Sequence, residues 1–378
     1  MTAAIDYEEE EVIEEQKQVK EDPVYLCFSL LPTQDSPAST LWYEMKPNCR
    51  NSYRSRYDEA PLDPVAKMPC NNTLCFGSVS LNSKLYVIGG EVEDTNNPSV
   101  SISLKDVYIF DRKSPESGWT KGPSMRSGKS FPKVIALDSK IYVIGCSSSH
   151  GCIEDAPKPY AEVYDPTLNS WEDLPEPPVD VHKNGWIDGY AVIENGSKIL
   201  VSMYNGGAFT YDVKGKLWGQ FSSKTLMERG GWFGRGAVID HVMYSYYQGM
   251  VYGYDLSMNQ WLEDPVLYLE EKVANIVVPD PPYHGCNSPC CRPPDEPKYL
   301  YPGAIPSGFV VNIGEEKLCM VWSSYRNRAD RRDVHCLVFT PTVYYSAEQK
   351  IVATASIDYG ITEKFIVEGQ LFDDCFVP

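Results

Sequence analysis

Four segments of the chain end on a tryptophan in the same way: VYIFDRKSPESGW at Trp119, AEVYDPTLNSW at Trp171, AFTYDVKGKLW at Trp218 and VYGYDLSMNQW at Trp261. In the last three, tryptophan follows an aromatic–aspartate pair by six residues; in the first, a longer turn makes it eight. Successive tryptophans lie 52, 47 and 43 residues apart. A recurring unit of this length constrains the fold more than any single motif, because neighbouring units must bury their apolar faces on one another.

Each unit is preceded by an apolar run that reads as a strand: KLYVIGG (84–90), KIYVIGC (140–146), KILVSMYNGG (198–207) and HVMYSYYQG (241–249). The aspartate after the aromatic opens a turn by accepting backbone N–H groups. The glycines after a strand let the chain leave at positive φ. Tryptophan offers the broad apolar surface needed to fill a wedge between twisted sheets. Four short strands per period is the layout of a propeller blade; a β-sandwich is the alternative use of the same strands. The abundance of Tyr (26), Trp (8), Gly (27) and Pro (29) suits either all-β arrangement. The expectation is an all-β propeller of six four-stranded blades over residues 23–378, with clear repeats over about 76–262. GFVVNIGEEKLCMVWSS, HCLVFTPTVYY and IVATASIDYGI supply strands for the sixth blade, and the ring closes by pairing strands from the two ends.

The double glycine of YVIGGE, the VYDP…W hairpin and WEDLPEPP resemble the kelch repeat. The opening VYLCFSLLPTQDSPASTLWYEMKP is similar to the first blade of plant F-box/kelch-repeat proteins, with Trp42, Tyr43 and Pro47 matching and Lys46 standing where that family has aspartate. The resemblance implies a kelch β-propeller that recognises a protein or peptide client on one face, in scaffolding or in ubiquitin-dependent turnover with ubiquitin-ligase components. The residues before Val24 lack the leucine-rich helices of an F-box, so a stand-alone ligase-receptor role is not expected. The kelch likeness also extends to plant specifier proteins and to copper-radical oxidases. A small-molecule-binding or catalytic propeller in plant specialised metabolism is therefore the alternative.

Charge limits the partners. The net charge of −18 opposes nucleic acid and anionic membranes, and no apolar stretch is long enough to cross a bilayer as a helix. Residues 1–22 hold nine acids against Lys17 and Lys20 and read as a disordered acidic tail. That start has no apolar signal region, and the 12 cysteines then read as reduced thiols, so a cytoplasmic and/or nuclear protein is expected.

Catalytic signatures are missing. GPSMRSGKS (122–130) has Pro123 where a phosphate loop needs glycine. None of the five histidines completes the E-x3-D-x3-H iron motif of the specifier proteins; only His284 has an aspartate (Asp280) four residues earlier, and Ile276 stands in place of the glutamate. His284, Cys286, Cys290 and Cys291 are weak metal candidates within the proline-dense insertion 278–302, since the C-x3-C spacing and lack of a second pair fit zinc poorly. No cofactor is expected. The partner-binding candidates lie where inner strands begin: Arg126 and Ser130, Asn184 and Trp186, and Arg229, Trp232 and Arg235. Arginine offers a donor fork and tryptophan a flat π face, a combination suited to an anion or an aromatic group. Trp186 and Trp232 read first as residues that pack between blades. Arg326, Arg328, Arg331 and Arg332 form a basic cluster that reads as a solvated loop or an acidic-partner site.

Overall fold

The structure is a computed structural model that describes residues 23–30, 39–46, 61–69, 75–94, 96–97, 101–145, 158–178, 187–203, 207–223, 225–227, 232, 234–247, 249–267, 269, 308–325, 331–345, 350–357, 363–368 and 371–377. The acidic tail 1–22 and the insertion 278–302 lie outside them, as do Asn184, Trp186, Arg229, His284, Cys286, Cys290 and Cys291.

Why the strands read as unbroken apolar runs becomes clear from their packing. In Val24–Leu30, Val24, Leu26 and Phe28 pack to one side while Tyr25 and Cys27 pack to the other. Likewise, in Lys84–Ile88, Leu85 and Val87 face one neighbour and Tyr86 and Ile88 the next. A strand's side chains alternate between faces, so burial on both faces needs apolar residues throughout rather than every second position.

The described strands fall into antiparallel sets termed sheets 1 to 6, four strands each except sheet 6, which has five, while Glu91–Glu93 and Ser101–Ser103 pair separately. Sheets 2 and 3 run from Gly77–Leu81 to Trp119–Lys121 and from Lys133–Leu137 to Ser170–Asp173. Sheets 4 and 5 run from Ile187–Ile193 to Leu217–Phe221 and from Gly234–Ile239 to Gln260–Trp261. Their first strands pair in parallel, Tyr190 opposite Arg235. Sheet 6 begins with Gly308–Gly314; its third strand, Arg331–Tyr345, is long enough to pair Glu363–Glu368 near one end and Ile351–Ile357 near the other. Sheet 1 joins the ends of the chain, because Leu371–Phe376 pairs antiparallel with Val24–Leu30.

Six apolar clusters lie between consecutive sheets, including one between sheets 6 and 1, where Val311, Val321 and Cys336 meet Leu26, Tyr43 and Cys375. The core is therefore a ring of wedges around an axis. The first strand of sheets 2 to 6 and Leu371–Phe376 of sheet 1 are the innermost strands, and those of sheets 2 and 3, 4 and 5, 5 and 6, 6 and 1, and 1 and 2 adjoin around that axis.

The repeat residues make the wedges. Trp119, Trp171, Trp218 and Trp261 pack tilted or edge-on against Phe110, Tyr164, Tyr211 and Tyr254 of their own sheets at 5.1–5.3 Å between ring centres. Each indole N–H then donates to a carbonyl of the preceding sheet or its exit: Lys67 (3.0 Å), Pro123 (2.8 Å), Pro175 (2.8 Å) and Thr225 (3.0 Å). The turn aspartates accept backbone N–H groups as expected, for example Asp255 from Ser257 and Met258 at 2.8 and 2.9 Å. A left-handed residue precedes tryptophan by two positions at Asn169, Lys216 and Asn259.

Candidate functional site

The axis of the ring carries most of the unusual chemistry among the described residues. Asp374, on the innermost strand of sheet 1, lies near groups from three other sheets. Its Oδ2 accepts from the Ser78 hydroxyl of sheet 2 at 3.4 Å and stands 3.8 Å from Nη2 of Arg235 in sheet 5, and it interacts electrostatically with Lys133 of sheet 3. A single carboxylate can reach that many sheets only at the axis. Lys133 in turn faces Asp188 of sheet 4. Around the axis, sheets 1 to 5 thus contribute Asp374, Ser78, Lys133, Asp188 and Arg235. All but Asp374 stand at or near the start of their strands.

Burial dominates the titration of Asp188, Asp374 and Lys133; at Arg235 burial pulls down but Tyr190 and Asp374 outweigh it and leave the guanidinium raised. Burial pushes Asp188 from the ordinary carboxylate value up to about 6, with Lys133 opposing the rise. It raises Asp374 against the pull of Arg235 and lowers Lys133 against the pull of Asp188 and Asp374. The Tyr190 hydroxyl is also raised by burial. Each of these burial-driven shifts says that the protein interior disfavours the charged form more than the opposite charges restore it.

Arg235 lies over two aromatic rings, with its guanidinium carbon 5.1 Å from the centre of the Tyr190 ring and 5.9 Å from that of Phe376. Its Nε and Nη2, the side-on fork of the guanidinium, are shielded from solvent and have no hydrogen-bond partner. A cavity of about 310 Å³ lies beside it, toward the ends of the inner strands of sheets 3 to 6.

The other expected partner-binding residues lie elsewhere. Arg126 is half exposed and ties sheets 2 and 3 together, pairing with Asp173 at 2.9 Å and donating to the Trp171 carbonyl at 3.3 Å. Ser130 is buried, with its hydroxyl donated to Glu91. Between them is a buried knot: Lys129 pairs with Glu162 at 3.1 Å and donates to the Pro159 carbonyl at 2.7 Å and to Ser127. Trp232 is a packing residue between sheets 4 and 5, and a Cβ on Gly189 would fall 2.5 Å from its indole. Of the basic cluster, Arg326 and Arg328 lie outside the described residues and Arg332 is buried beside Ser323. No grouping of three or more metal-ligating side chains occurs among the described residues.

Of the seven partner-binding candidates, then, the axial set contains Arg235. Sequence reading missed Ser78, Lys133, Asp188 and Asp374. Their signal was a polar or charged residue at the edge of an otherwise apolar inner run, as in PKVIAL and IDGYAVI.

Comparison with known proteins agrees with this architecture. The FKB95, Kelch-repeats domain matches residues 39–273, more than half of the chain. The Arabidopsis thaliana F-box/kelch-repeat protein At2g44630 is 27% identical over 64% of this chain and 59% of its own length. The F-box/kelch-repeat protein At2g22030 of the same plant is 30% identical over 65% and 59%, and At4g39550 is 27% identical over 49% and 42%. The chain thus spans about half the length of these curated relatives. The solved structure of YjhT aligns with 88% of this chain at 13% identity and a TM-score of 0.47, a likeness too slight to place any residue. The repeat hairpins, the ring of inter-sheet wedges and the domain match make this chain a kelch-repeat propeller of the FKB95 family.

Proposed function

We propose that the propeller is an interaction module that holds a protein or peptide partner at the mouth of its central channel. The observation that carries this reading is the axial set Asp374, Ser78, Lys133, Asp188 and Arg235, in which five sheets each contribute a polar or charged group at one place. Opposite charges set side by side read partners by complementarity and reject mismatched ones. The F-box/kelch-repeat relatives support a place in ubiquitin-dependent turnover, with ligase components among the partners; a cytoplasmic and/or nuclear location is part of the same proposal.

The test is affinity purification of the full chain, of a Lys133→Glu variant and of a chain without residues 1–22. Charge reversal at Lys133 is expected to remove the specific partners, ligase components included, while removal of the tail retains them. Partners that persist with folded Lys133→Glu protein would refute a channel-mouth site.

A further inference from the structure

The cavity beside Arg235 is walled mainly by aliphatic side chains, among them Ile135, Val192, Ala237, Val238 and Val310. Its polar lining residues are Tyr190, Asn195, Arg235, Asp240 and Asn312. Asn312 donates its amide to the Val238 carbonyl at 2.8 Å and accepts the Gly314 N–H at 2.9 Å. Asp240 stands on the turn directly after the inner strand of sheet 5, and Tyr190 is covered by the Arg235 guanidinium. Arg235 is different: its guanidinium lies over the Tyr190 and Phe376 rings, and the Nε and Nη2 atoms along one edge have no hydrogen-bond partner. Asp374 does not fill the role. It forms an ion pair with Nη2 at 3.8 Å, beyond hydrogen-bond distance, while its oxygens accept from the Cys375 N–H at 2.8 Å and from Ser78.

A buried charged donor without an acceptor is costly, and a guanidinium fork matches the two oxygens of a carboxylate in one plane. The walls match an apolar body, and a concave apolar site with one oriented polar group is the usual form of a small-ligand pocket. We propose that this cavity binds a small organic carboxylate, with the carboxylate on the Arg235 fork and its apolar body among Val192, Ala237 and Val310. Such a site shares Arg235 with the set proposed to hold a partner at the channel mouth and extends from it along the inner strands, so it rests in part on that reading.

Benzoate is the probe, measured by titration calorimetry with the full-length chain, against benzamide, which keeps the body and lacks the charge, and inorganic phosphate, which keeps the charge and lacks the body. Saturable benzoate binding is expected, with both comparison ligands weaker by about ten- to hundredfold, the worth of a charged hydrogen-bond pair. Arg235→Gln should lose the same factor. Val192→Phe, which fills the cavity and keeps the charge, should also abolish binding, with thermal melts confirming that each variant is folded. Absence of benzoate binding to the native chain overturns the proposal, as does equal binding of benzamide or of phosphate. If Arg235→Gln does not fold, benzoate binding retained by folded Val192→Phe is the overturning result.

Discussion

Lys129→Met tests the account of how sheets 2 and 3 are locked together. Lys129 and Glu162 are 1% and 0% exposed in their side chains and lie 3.1 Å apart. The Glu162 carboxylate also accepts the backbone N–H groups of Arg126 at 2.8 Å and Ser127 at 3.2 Å, so it is fixed in place and cannot swing to solvent when its cation is lost. Removing one member of a buried pair leaves an uncompensated charge, at a cost of about 3–5 kcal/mol. The Pro159 carbonyl loses one donor but keeps the Ser127 hydroxyl at 2.6 Å, which holds the total near the lower end of that range. The double variant Lys129→Met with Glu162→Gln removes both charges, and its loss should be smaller, about 1–2 kcal/mol, because no net charge stays buried. Urea unfolding at neutral pH measures both. A single-variant loss below about 1 kcal/mol, within the range of ordinary surface substitutions, would show that Glu162 reaches water and that the knot is not a lock.

Gly189→Ala should destabilise by about 1–3 kcal/mol in the same assay, since the new Cβ lands 2.5 Å from the Trp232 indole and carbonyl with no room to shift. Asp188 has a folded pKa of about 6 against an ordinary 3.8, so its contribution to stability is present below pH 4 and lost as pH rises through 6. Asp188→Asn should therefore raise the melting temperature at pH 8 and leave it unchanged near pH 3.5; a uniform shift at both would contradict the assignment. Asp165 has the opposite sign: hydrogen bonds, first that from the Thr167 hydroxyl, hold it near 2. Its contribution is present above pH 4 and lost as pH falls through 2, and Asp165→Asn should flatten the acid limb of the stability profile.

Much of this fold is written locally. The aromatic–aspartate pair, the left-handed residue and the tryptophan lie within one hairpin, so their spacing survives in sequence and fixes strand, turn and stacking together. Trp171, with Tyr164 beside it and Asp165 opening its turn, illustrates all three. The repeat also predicted a chain-end closure, now seen between Val24–Leu30 and Leu371–Phe376. The carbonyl each tryptophan reaches was not legible, because it belongs to the neighbouring sheet.

The candidate site was less legible still. Arg126, Ser130 and Arg235 looked equivalent as polar residues near the start of an inner strand. Burial and geometry separate them: Arg126 turns outward to Asp173, Ser130 is enclosed with Glu91, and Arg235 reaches the axis. Asp374 meets Ser78, 296 positions earlier in the chain, only because the last strand closes the ring. Sequence alone determined the all-β repeat and the residues of each wedge, since strand periodicity and turn chemistry act over a few residues. Tertiary structure alone decided which charges share the channel and that Arg235 is left with a fork and no acceptor. Proximity at the axis depends on how the sheets pack around the ring, and no short stretch of chain encodes that.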